Sequence, residues 1–260
     1  MKFVRVLYHN QEQYGVVEND SVCLIAGDLF SGWEQTGIRI PLEPEKLLAP
    51  VKPESVLCIG RNYKAHAQEC GNKLPENPLL FIKANSSVCG NNAVVELNPA
   101  LTRQVDYESE LAVIIGKAAK NVPQEKALEY VFGYTCALDI SARDCQYADG
   151  QWARGKSFDH FCPLGPWIET GLDPQNLAIA GRRNGKTVQE SHTSLMIFPV
   201  PYLIHYLSQT MTLLPGTVIL TGTPAGVIQG QKDPVWLQDG ESFEVEIENI
   251  GKLTARFACS

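Results

Sequence analysis

Three acidic side chains in two apolar segments have the types and spacing of a cation site. Glu108 and Glu110 lie two residues apart, just before the apolar run that begins at Leu111, so a strand would project both carboxylates from one face. Asp139 ends a second apolar segment, where a buried carboxylate needs a cationic partner or a metal. Oxygen ligands favour Mg²⁺, Mn²⁺ or Ca²⁺. The spacing alone leaves open a solvated strand edge for the glutamates, and a turn pairing with Arg143 for Asp139.

A histidine and a glutamate at helical spacing have the types needed for a general base. His66 and Glu69 are three residues apart, so a short helix would place both side chains on one face. A carboxylate bonded to an imidazole fixes the tautomer of the ring and raises its basicity. An exposed ion pair on the helix surface is the alternative that the spacing leaves open.

Two cations and a turn could bind an anionic substrate. Arg143 lies four residues after Asp139, and Lys156 follows a glycine and precedes Ser157-Phe158. Either cation could bind a carboxylate or stabilise a developing enolate. The turn between Gly222 and Gly226 offers backbone N–H groups and hydroxyls to an anion. Solvated cations and an ordinary β-turn are the alternatives.

The elements that must position these residues are mainly strands. The sequence predicts strands at 3–8, 14–25 with a turn near Asn19-Asp20, 55–60, 79–83, 93–97, 107–116, 131–140, 217–221 and 242–248. It predicts helices at 62–70, 123–130 and 201–211. Strands outnumber helices and do not alternate with them, which favours an α+β, mainly β fold over a doubly wound one. Four prolines between residues 41 and 53 predict a boundary between a small N-terminal β domain, residues 1–53, and a larger domain, residues 54–260, that carries these candidate residues.

Composition and missing motifs exclude several classes of protein. The chain has 260 residues, of which 44% are hydrophobic, so it can bury a core and is not mainly disordered. Its formal charge of −7 argues against nucleic acid or an anionic membrane as a partner. Eight cysteines contain no C-x-x-C pair, which argues against a zinc ribbon and favours reduced thiols. Glycine-rich nucleotide loops and the serine-hydrolase motif are also absent. Without a signal-peptide pattern or a membrane-spanning run, a cytoplasmic location is predicted.

Six short segments, taken in order, resemble the fumarylacetoacetate hydrolase family. They are Ile59-Gly-Arg-Asn-Tyr63, His66-x-x-Glu69, Asp106-Tyr-Glu-Ser-Glu-Leu111, Leu138-Asp-Ile-Ser-Ala-Arg-Asp144, Gly155-Lys-Ser-Phe-Asp159 and Leu220-Thr-Gly-Thr-Pro224. The resemblance runs from residue 54 to the C-terminus. Residues 156–166 and 234–240 look closest to the branch that includes acylpyruvases, oxaloacetate decarboxylases and oxaloacetate tautomerases.

The resemblance implies a fold, a metal and a set of site residues. The implied fold is a mixed β-roll or β-sandwich with short helices, usually in a homodimer. One Mg²⁺ or Mn²⁺ per chain would be held by three ligands, which are Glu108, Glu110 and Asp139. The implied catalytic residues are His66, Glu69 and Lys156. The implied substrate contacts are Arg61, Arg143, Gln146, Gly222 and Thr223.

The function implied by the resemblance is chemistry on small 2-oxo acids through a metal-bound enolate. Hydrolysis of acylpyruvates, decarboxylation of oxaloacetate and keto–enol tautomerisation of oxaloacetate all use that enolate, so the residues around the metal do not separate them. A second hypothesis is an isomerase or decarboxylase of 2-hydroxydienoate dicarboxylates in aromatic catabolism. A third is a metabolite-binding protein that kept the pocket without turnover. A bound cation would also let an acidic chain present a positive pocket to an acid.

Overall fold

The computed structural model describes residues 1–259 and is built mainly of strands. The strands are β1 Lys2–Tyr8, β2 Gln11–Glu18, β3 Ser21–Asp28, β4 Gly32–Pro41, β5 Val56–Gly60, β6 Leu79–Lys83, β7 Val88–Cys89, β8 Ala93–Leu97, β9 Val105–Asp106, β10 Ser109–Ile115, β11 Val131–Leu138, β12 Ser141–Ala142, β13 Cys162–Glu169, β14 Ala178–Arg183, β15 Lys186–His192, β16 Val218–Leu220, β17 Ser242–Ile247 and β18 Gly251–Cys259. The α-helices are α1 Lys64–Glu69, α2 Arg143–Asp149, α3 Ala153–Lys156 and α4 Val200–Thr210. Short 3-10 helices span Pro44–Lys46, Asn85–Ser87, Gln124–Tyr130, Thr193–Leu195 and Ile228–Gly230.

Two large sheets contain most of these strands. The larger sheet has eleven strands in the order β4-β3-β2-β1-β13-β11-β10-β16-β5-β6, with β7 beside β13. The smaller sheet has five, in the order β15-β14-β17-β18-β8, and β9 pairs with β12. Parallel pairing joins β16 to β5, β13 to β7 and β18 to β8, while the other described pairs are antiparallel. The predicted α+β, mainly β class is therefore confirmed.

Strand β10 carries the apolar run that leads away from the candidate cation site. It is buried along its whole length. Leu111 and Val113 pack into one hydrophobic cluster, whereas Ala112 and Ile114 pack into another. Successive side chains of a strand point to opposite faces, so a strand covered on both faces needs a continuous apolar run rather than an alternating one. Glu110 lies near the start of this doubly covered strand, where its carboxylate is carried into the interior.

The N-terminal strands extend the larger sheet. Strand β1 pairs antiparallel with β13, and Phe3 lies opposite Ile168. The Phe3 ring packs against Trp33 from the N-terminal segment and Phe132 from β11, with centroids 5.3 and 5.0 Å away. The segment rich in proline lies between β4 and β5. The division of the chain at residue 53 stays a prediction.

Local sequence patterns missed some details for identifiable reasons. The strand predicted at 107–116 begins at Ser109, and Glu108 lies in the connection from β9. Strand β4 was not predicted, because most of its side chains are exposed and it carries no apolar alternation. The helix predicted after Pro123 is a 3-10 helix. The region predicted as 14–25 forms two strands on either side of the expected turn.

Phe3→Ala is expected to lower the free energy of unfolding by about 3–5 kcal/mol, because it empties a site between aromatic rings. Leu7→Ala is the matched control on the same strand, since Leu7 is 57% exposed. It should change the free energy of unfolding by less than about 0.5 kcal/mol. Urea denaturation followed by circular dichroism measures both values. Equal, small effects would mean that packing of β1 does not stabilise the sheet.

Candidate active site and metal centre

One pocket brings together most of the residues that the sequence singled out. Its lining includes Arg61, His66, Glu108, Glu110, Arg143, Gln146, Lys156 and Thr223. Three further predicted residues, Glu69, Asp139 and Gly222, are hydrogen-bonded to residues of this lining. The segments predicted separately along the chain therefore meet at one place.

The three predicted metal ligands converge in the interior. One carboxylate oxygen from each of Glu108, Glu110 and Asp139 lies within 4.8 Å of the other two. Their residues are 5%, 2% and 0% exposed, so a solvated strand edge does not describe them. The backbone N–H of Asp139 donates to the carbonyl of Glu108 at 2.9 Å, which joins the two acidic segments.

Glu110 is the carboxylate that the protein leaves without a counter-charge. Within the described residues 1–259, no lysine, arginine or histidine forms a salt bridge with Glu110. Its Oε2 accepts one hydrogen bond, from the Gly222 N–H at 2.6 Å. Burial, and then the neighbouring Asp139 and Glu108, raise the pKa of Glu110 well above its ordinary value. A divalent cation would remove this repulsion, and an all-oxygen donor set suits Mg²⁺ or Mn²⁺. The donor set therefore fits the predicted metal.

Two buried lysines pair with the other two carboxylates. Lys156 Nζ lies 2.5 Å from Glu108 Oε2 and 2.7 Å from Asp139 Oδ2. Lys83 Nζ lies 2.6 Å from Asp139 Oδ1. Burial alone would raise the pKa of Glu108, but attraction to Lys156 and then to Arg143 lowers it. Lys83 was not predicted from the sequence, where its only signal is a lysine at the end of an apolar strand.

Arg143 holds the acidic segment in position from the other side. Its Nε donates to Asp106 Oδ2 at 2.9 Å, and its Nη2 donates to Glu108 Oε1 at 2.7 Å. Its Nη1 donates to Gln146 Oε1 at 3.0 Å. The structure thus pairs Arg143 with Asp106 and Glu108, and pairs Asp139 with lysines. The guanidinium is occupied by protein carboxylates, so its predicted contact with substrate would be shared with them.

His66 and Glu69 form the predicted pair on α1. His66 Nδ1 lies 2.9 Å from Glu69 Oε1. Glu69 Oε2 accepts from the Gly226 N–H at 2.8 Å, so both carboxylate oxygens are held. His66 is 7% exposed and lines the pocket, which excludes a fully solvated surface pair. Cys70 Sγ lies 4.0 Å from the same His66 Nδ1, a neighbour that the sequence analysis did not single out.

The turn after β16 closes over the carboxylates. Gly222 has a φ of +99°, and a Cβ there would lie 2.7 Å from the Cβ of Asn62. Asn62 Nδ2 donates to the carbonyl of Thr221 at 2.8 Å. Gln189 Nε2 donates to Thr223 Oγ1 at 2.9 Å. The turn needs glycine at this position and is held from two sides, so its N–H groups have fixed directions.

Arg61 reaches the pocket in a different way from the other cations. Its backbone φ is +57°, in the left-handed region. Its guanidinium carbon lies 5.6 Å from the ring centroid of Trp152, which also lines the pocket. Among the residues that the structure describes, no carboxylate pairs with Arg61, whereas Lys156 and Arg143 are both paired. Arg61 is therefore the lining cation whose charge remains free for an anion.

Comparison with known proteins gives the family. The profile described as fumarylacetoacetate (FAA) hydrolase C-terminal matches residues 55–258, and the profile described as Rv2993c-like, N-terminal matches residues 1–50. The chain belongs to the fumarylacetoacetate hydrolase family. The family predicted from the six motifs is confirmed.

Relatives with assigned reactions are similar over most of the chain. The mitochondrial oxaloacetate tautomerase Fahd2a of Rattus norvegicus is 45% identical over 223 residues, covering 83% of this chain and 71% of the rat protein. The mitochondrial oxaloacetate tautomerase FAHD2A of Homo sapiens is 44% identical, covering 82% of this chain and 70% of its own.

Solved structures agree over the whole length. The 5-carboxymethyl-2-hydroxymuconate delta-isomerase of Mycobacterium smegmatis superposes with a TM-score of 0.90 at 39% identity and 100% coverage of both chains. Maleylpyruvate hydrolase of Sphingobium sp. SYK-6, solved with manganese(II) and pyruvate, gives a TM-score of 0.79 at 29% identity and the same coverage. These similarities support the predicted general class, an enzyme of small oxo acids.

Every helix within residues 1–259 is too short or too polar to cross a membrane.

Glu110→Gln is expected to raise the unfolding temperature in EDTA, because a neutral amide avoids the burial cost and the repulsion from Asp139 and Glu108 that raise the pKa of Glu110. In Mn²⁺ the wild type should have the higher unfolding temperature. A ligand at about a hundred times its Kd stabilises a protein by about 2.7 kcal/mol, and the variant would lose most of that gain. Glu129→Gln, at an exposed site, is the control and should match the wild type. Thermal melts in EDTA and in Mn²⁺ measure both effects. If Mn²⁺ raised the unfolding temperature of Glu110→Gln as much as that of the wild type, Glu110 would not be a metal ligand.

Proposed function

We propose that this chain is a Mg²⁺- or Mn²⁺-dependent enzyme of small 2-oxo acids, and that keto–enol tautomerisation of oxaloacetate is its main reaction. The observation that carries the proposal is the buried three-carboxylate cluster with an uncompensated Glu110, in the same pocket as His66. The two mitochondrial relatives named oxaloacetate tautomerases support the particular reaction.

Residues of the cluster and beside it would bind the cation and stabilise negative charge that develops on the reacting acid. Glu108, Glu110 and Asp139 would be the ligands. A bound divalent ion would supply Lewis acidity that stabilises negative charge on an oxo acid. Lys156 Nζ, between Glu108 and Asp139, would add fixed positive charge at the same place. Because this lysine is buried and held by two carboxylates, it needs little reorganisation during the reaction.

His66 would move the proton. Its Nδ1 is bonded to Glu69, which leaves Nε2 as the ring atom for exchange with the substrate. In enol-to-keto conversion the hydroxyl oxygen loses a proton and the carbon beside the keto carbon gains one. Glu69 would keep the ring in one tautomer and stabilise its charged form. The Gly226 N–H would keep Glu69 in place.

Arg61 supports a substrate with a second carboxylate. The other lining cations, Arg143 and Lys156, are already paired with protein carboxylates. Arg61 is held over Trp152 and is free to bind an anionic group at the far end of the substrate. Oxaloacetate has such a group. The acid in the name of the Mycobacterium smegmatis isomerase also carries more than one carboxylate.

Other reactions through the same intermediate are the second candidates. The intact pair of His66 and Glu69 could activate a water for hydrolysis of an acylpyruvate, and the structural neighbour from Sphingobium is a hydrolase. Decarboxylation of oxaloacetate uses the same charge stabilisation. Isomerisation of 2-hydroxydienoate dicarboxylates is favoured by the similarity to the Mycobacterium smegmatis isomerase. A metabolite-binding protein without turnover is the alternative outside enzymes.

A panel of three substrates separates these candidates. Enol-oxaloacetate, acetylpyruvate and a 2-hydroxydienoate dicarboxylate are followed by ultraviolet absorbance, with pyruvate release measured in parallel. We expect the largest rate above the uncatalysed reaction with enol-oxaloacetate, without pyruvate release. EDTA should abolish it and Mn²⁺ should restore it. Activity that survives exhaustive chelation would contradict metal dependence, and pyruvate release would assign hydrolysis or decarboxylation. Binding of all three acids without turnover would assign the non-enzymatic role.

Arg61→Gln is expected to raise the KM for oxaloacetate by about 10-fold or more, because a hydrogen bond to a charged group contributes about 1.5–3 kcal/mol. The KM for acetylpyruvate, which lacks the second carboxylate, should rise much less. Arg39→Gln is the control, since Arg39 lies on β4 outside the pocket lining. Steady-state kinetics with both acids gives the ratio. An equal loss for the two acids would show that Arg61 does not read the second carboxylate.

A further inference from the structure

Three side chains at the end of α1 offer a second, different set of metal ligands. His66, Glu69 and Cys70 follow the i, i+3, i+4 spacing that puts side chains on one helix face. His66 Nδ1 lies 2.9 Å from Glu69 Oε1 and 4.0 Å from Cys70 Sγ. All three ligand atoms lie within 4.8 Å of one another. They provide one nitrogen, one oxygen and one sulfur.

The separations suit a tetrahedral zinc ion. Zinc binds nitrogen and oxygen at about 2.0–2.1 Å and sulfur at about 2.3 Å, which places tetrahedral N and O ligands about 3.3 Å apart and N and S ligands about 3.5 Å apart. The N–O separation of 2.9 Å and the N–S separation of 4.0 Å differ from these values by about 0.5 Å or less, within reach of small side-chain rotations. The protein would supply three ligands, and because His66 and Cys70 line the pocket, a water from the pocket could supply the fourth.

Ligand chemistry separates this cluster from the three-carboxylate centre. Glu108, Glu110 and Asp139 offer only oxygen, which suits hard ions. A thiolate and an imidazole favour zinc instead. We propose that His66, Glu69 and Cys70 form an inhibitory site for Zn²⁺, which binds there while Mg²⁺ or Mn²⁺ occupies the carboxylates.

Cys70 is placed to take part, and the other cysteines are not. Its thiol is half-buried and lines the pocket, so an ion can reach it from solvent. Within residues 1–259, His66 Nδ1 is the one atom within hydrogen-bond distance of this thiol. By contrast, Cys145 Sγ donates to the carbonyl of Leu101 at 3.5 Å. Cys259 is exposed and stands outside the described metal-ligand clusters, which makes it a matched control.

Zinc at this site would disable the base. The Nδ1 proton that His66 shares with Glu69 would move to Nε2, and the ion would take the Nδ1 lone pair and an oxygen of Glu69, which breaks the hydrogen bond between them. The Cys70 thiol would bind as a thiolate, and its proton would go to solvent. Inhibition rests on the proposed role of His66, whereas binding of the ion does not, so the two are measured separately.

Binding is tested on the full chain saturated with Mg²⁺, which occupies the carboxylates. Co²⁺ serves as the spectroscopic probe, because a thiolate ligand gives it a strong near-ultraviolet absorption, and calorimetry follows Zn²⁺. We expect one thiolate-bound ion per chain in the wild type and in Cys259→Ala. Cys70→Ala should lose the absorption and weaken Zn²⁺ binding by at least about 10–100-fold. Unchanged absorption and affinity in Cys70→Ala would overturn the site.

Inhibition is tested with the same three proteins in the Mg²⁺-activated assay. Zn²⁺ should stop turnover of the wild type and Cys259→Ala, and a strong chelator followed by Mg²⁺ should restore it. Relative to its own rate without zinc, Cys70→Ala should need at least about 10-fold more Zn²⁺ for the same fractional loss. Equal sensitivity of Cys70→Ala would mean that zinc acts at the carboxylates, against the proposal. Thiolate-bound zinc with undiminished turnover would overturn inhibition and the role of His66 in the proposed function, while the binding site itself would stand.

Discussion

Mutual repulsion among three buried carboxylates is the constraint around which this pocket is organised. Glu108, Glu110 and Asp139 lie within 4.8 Å of one another, away from water. Such a cluster is unstable unless positive charge accompanies it. Two lysines and an arginine offset part of the charge, and they leave Glu110 uncompensated. The protein thus keeps a buried carboxylate whose charge a divalent cation would offset, and the repulsion lowers stability as long as nothing offsets it.

The sheets and helices serve this constraint by fixing distant segments against one another. The doubly covered strand β10 carries Glu110 inward, and β11 delivers Asp139 beside it. Arg143, at the start of α2, ties Asp106 to Glu108. The turn after β16 contributes the Gly222 N–H to Glu110 and the Gly226 N–H to Glu69. One turn therefore links the acidic cluster to the histidine pair, so the two sets keep a common geometry.

The net charge of −7 is a property of the whole chain and does not predict the local charge in the pocket. Three acidic residues there would be partly neutralised by one cation, and Lys83, Lys156 and Arg143 lie against them. Arg61 adds a charge that no described carboxylate takes up. With a cation bound, the pocket would be less negative than the whole chain, so the net charge does not argue against an anionic small molecule as ligand.

Strand periodicity, turn residues and short motifs are local properties, so the fold class, the family and many of the residues that meet in the pocket could be predicted from the sequence. Lys83 and Trp152 escaped it, since a lysine in a strand and a tryptophan in a helix connection are ordinary until their neighbours are known. Pairing was also undecided: local spacing could not tell whether Asp139 meets Arg143 or lysines. Which carboxylate lacks a counter-charge, and which cation remains free, can be seen only once the chain is folded. The electrostatic environment of each group depends on charges from residues that lie far apart in the chain, and folding sets the distances between them.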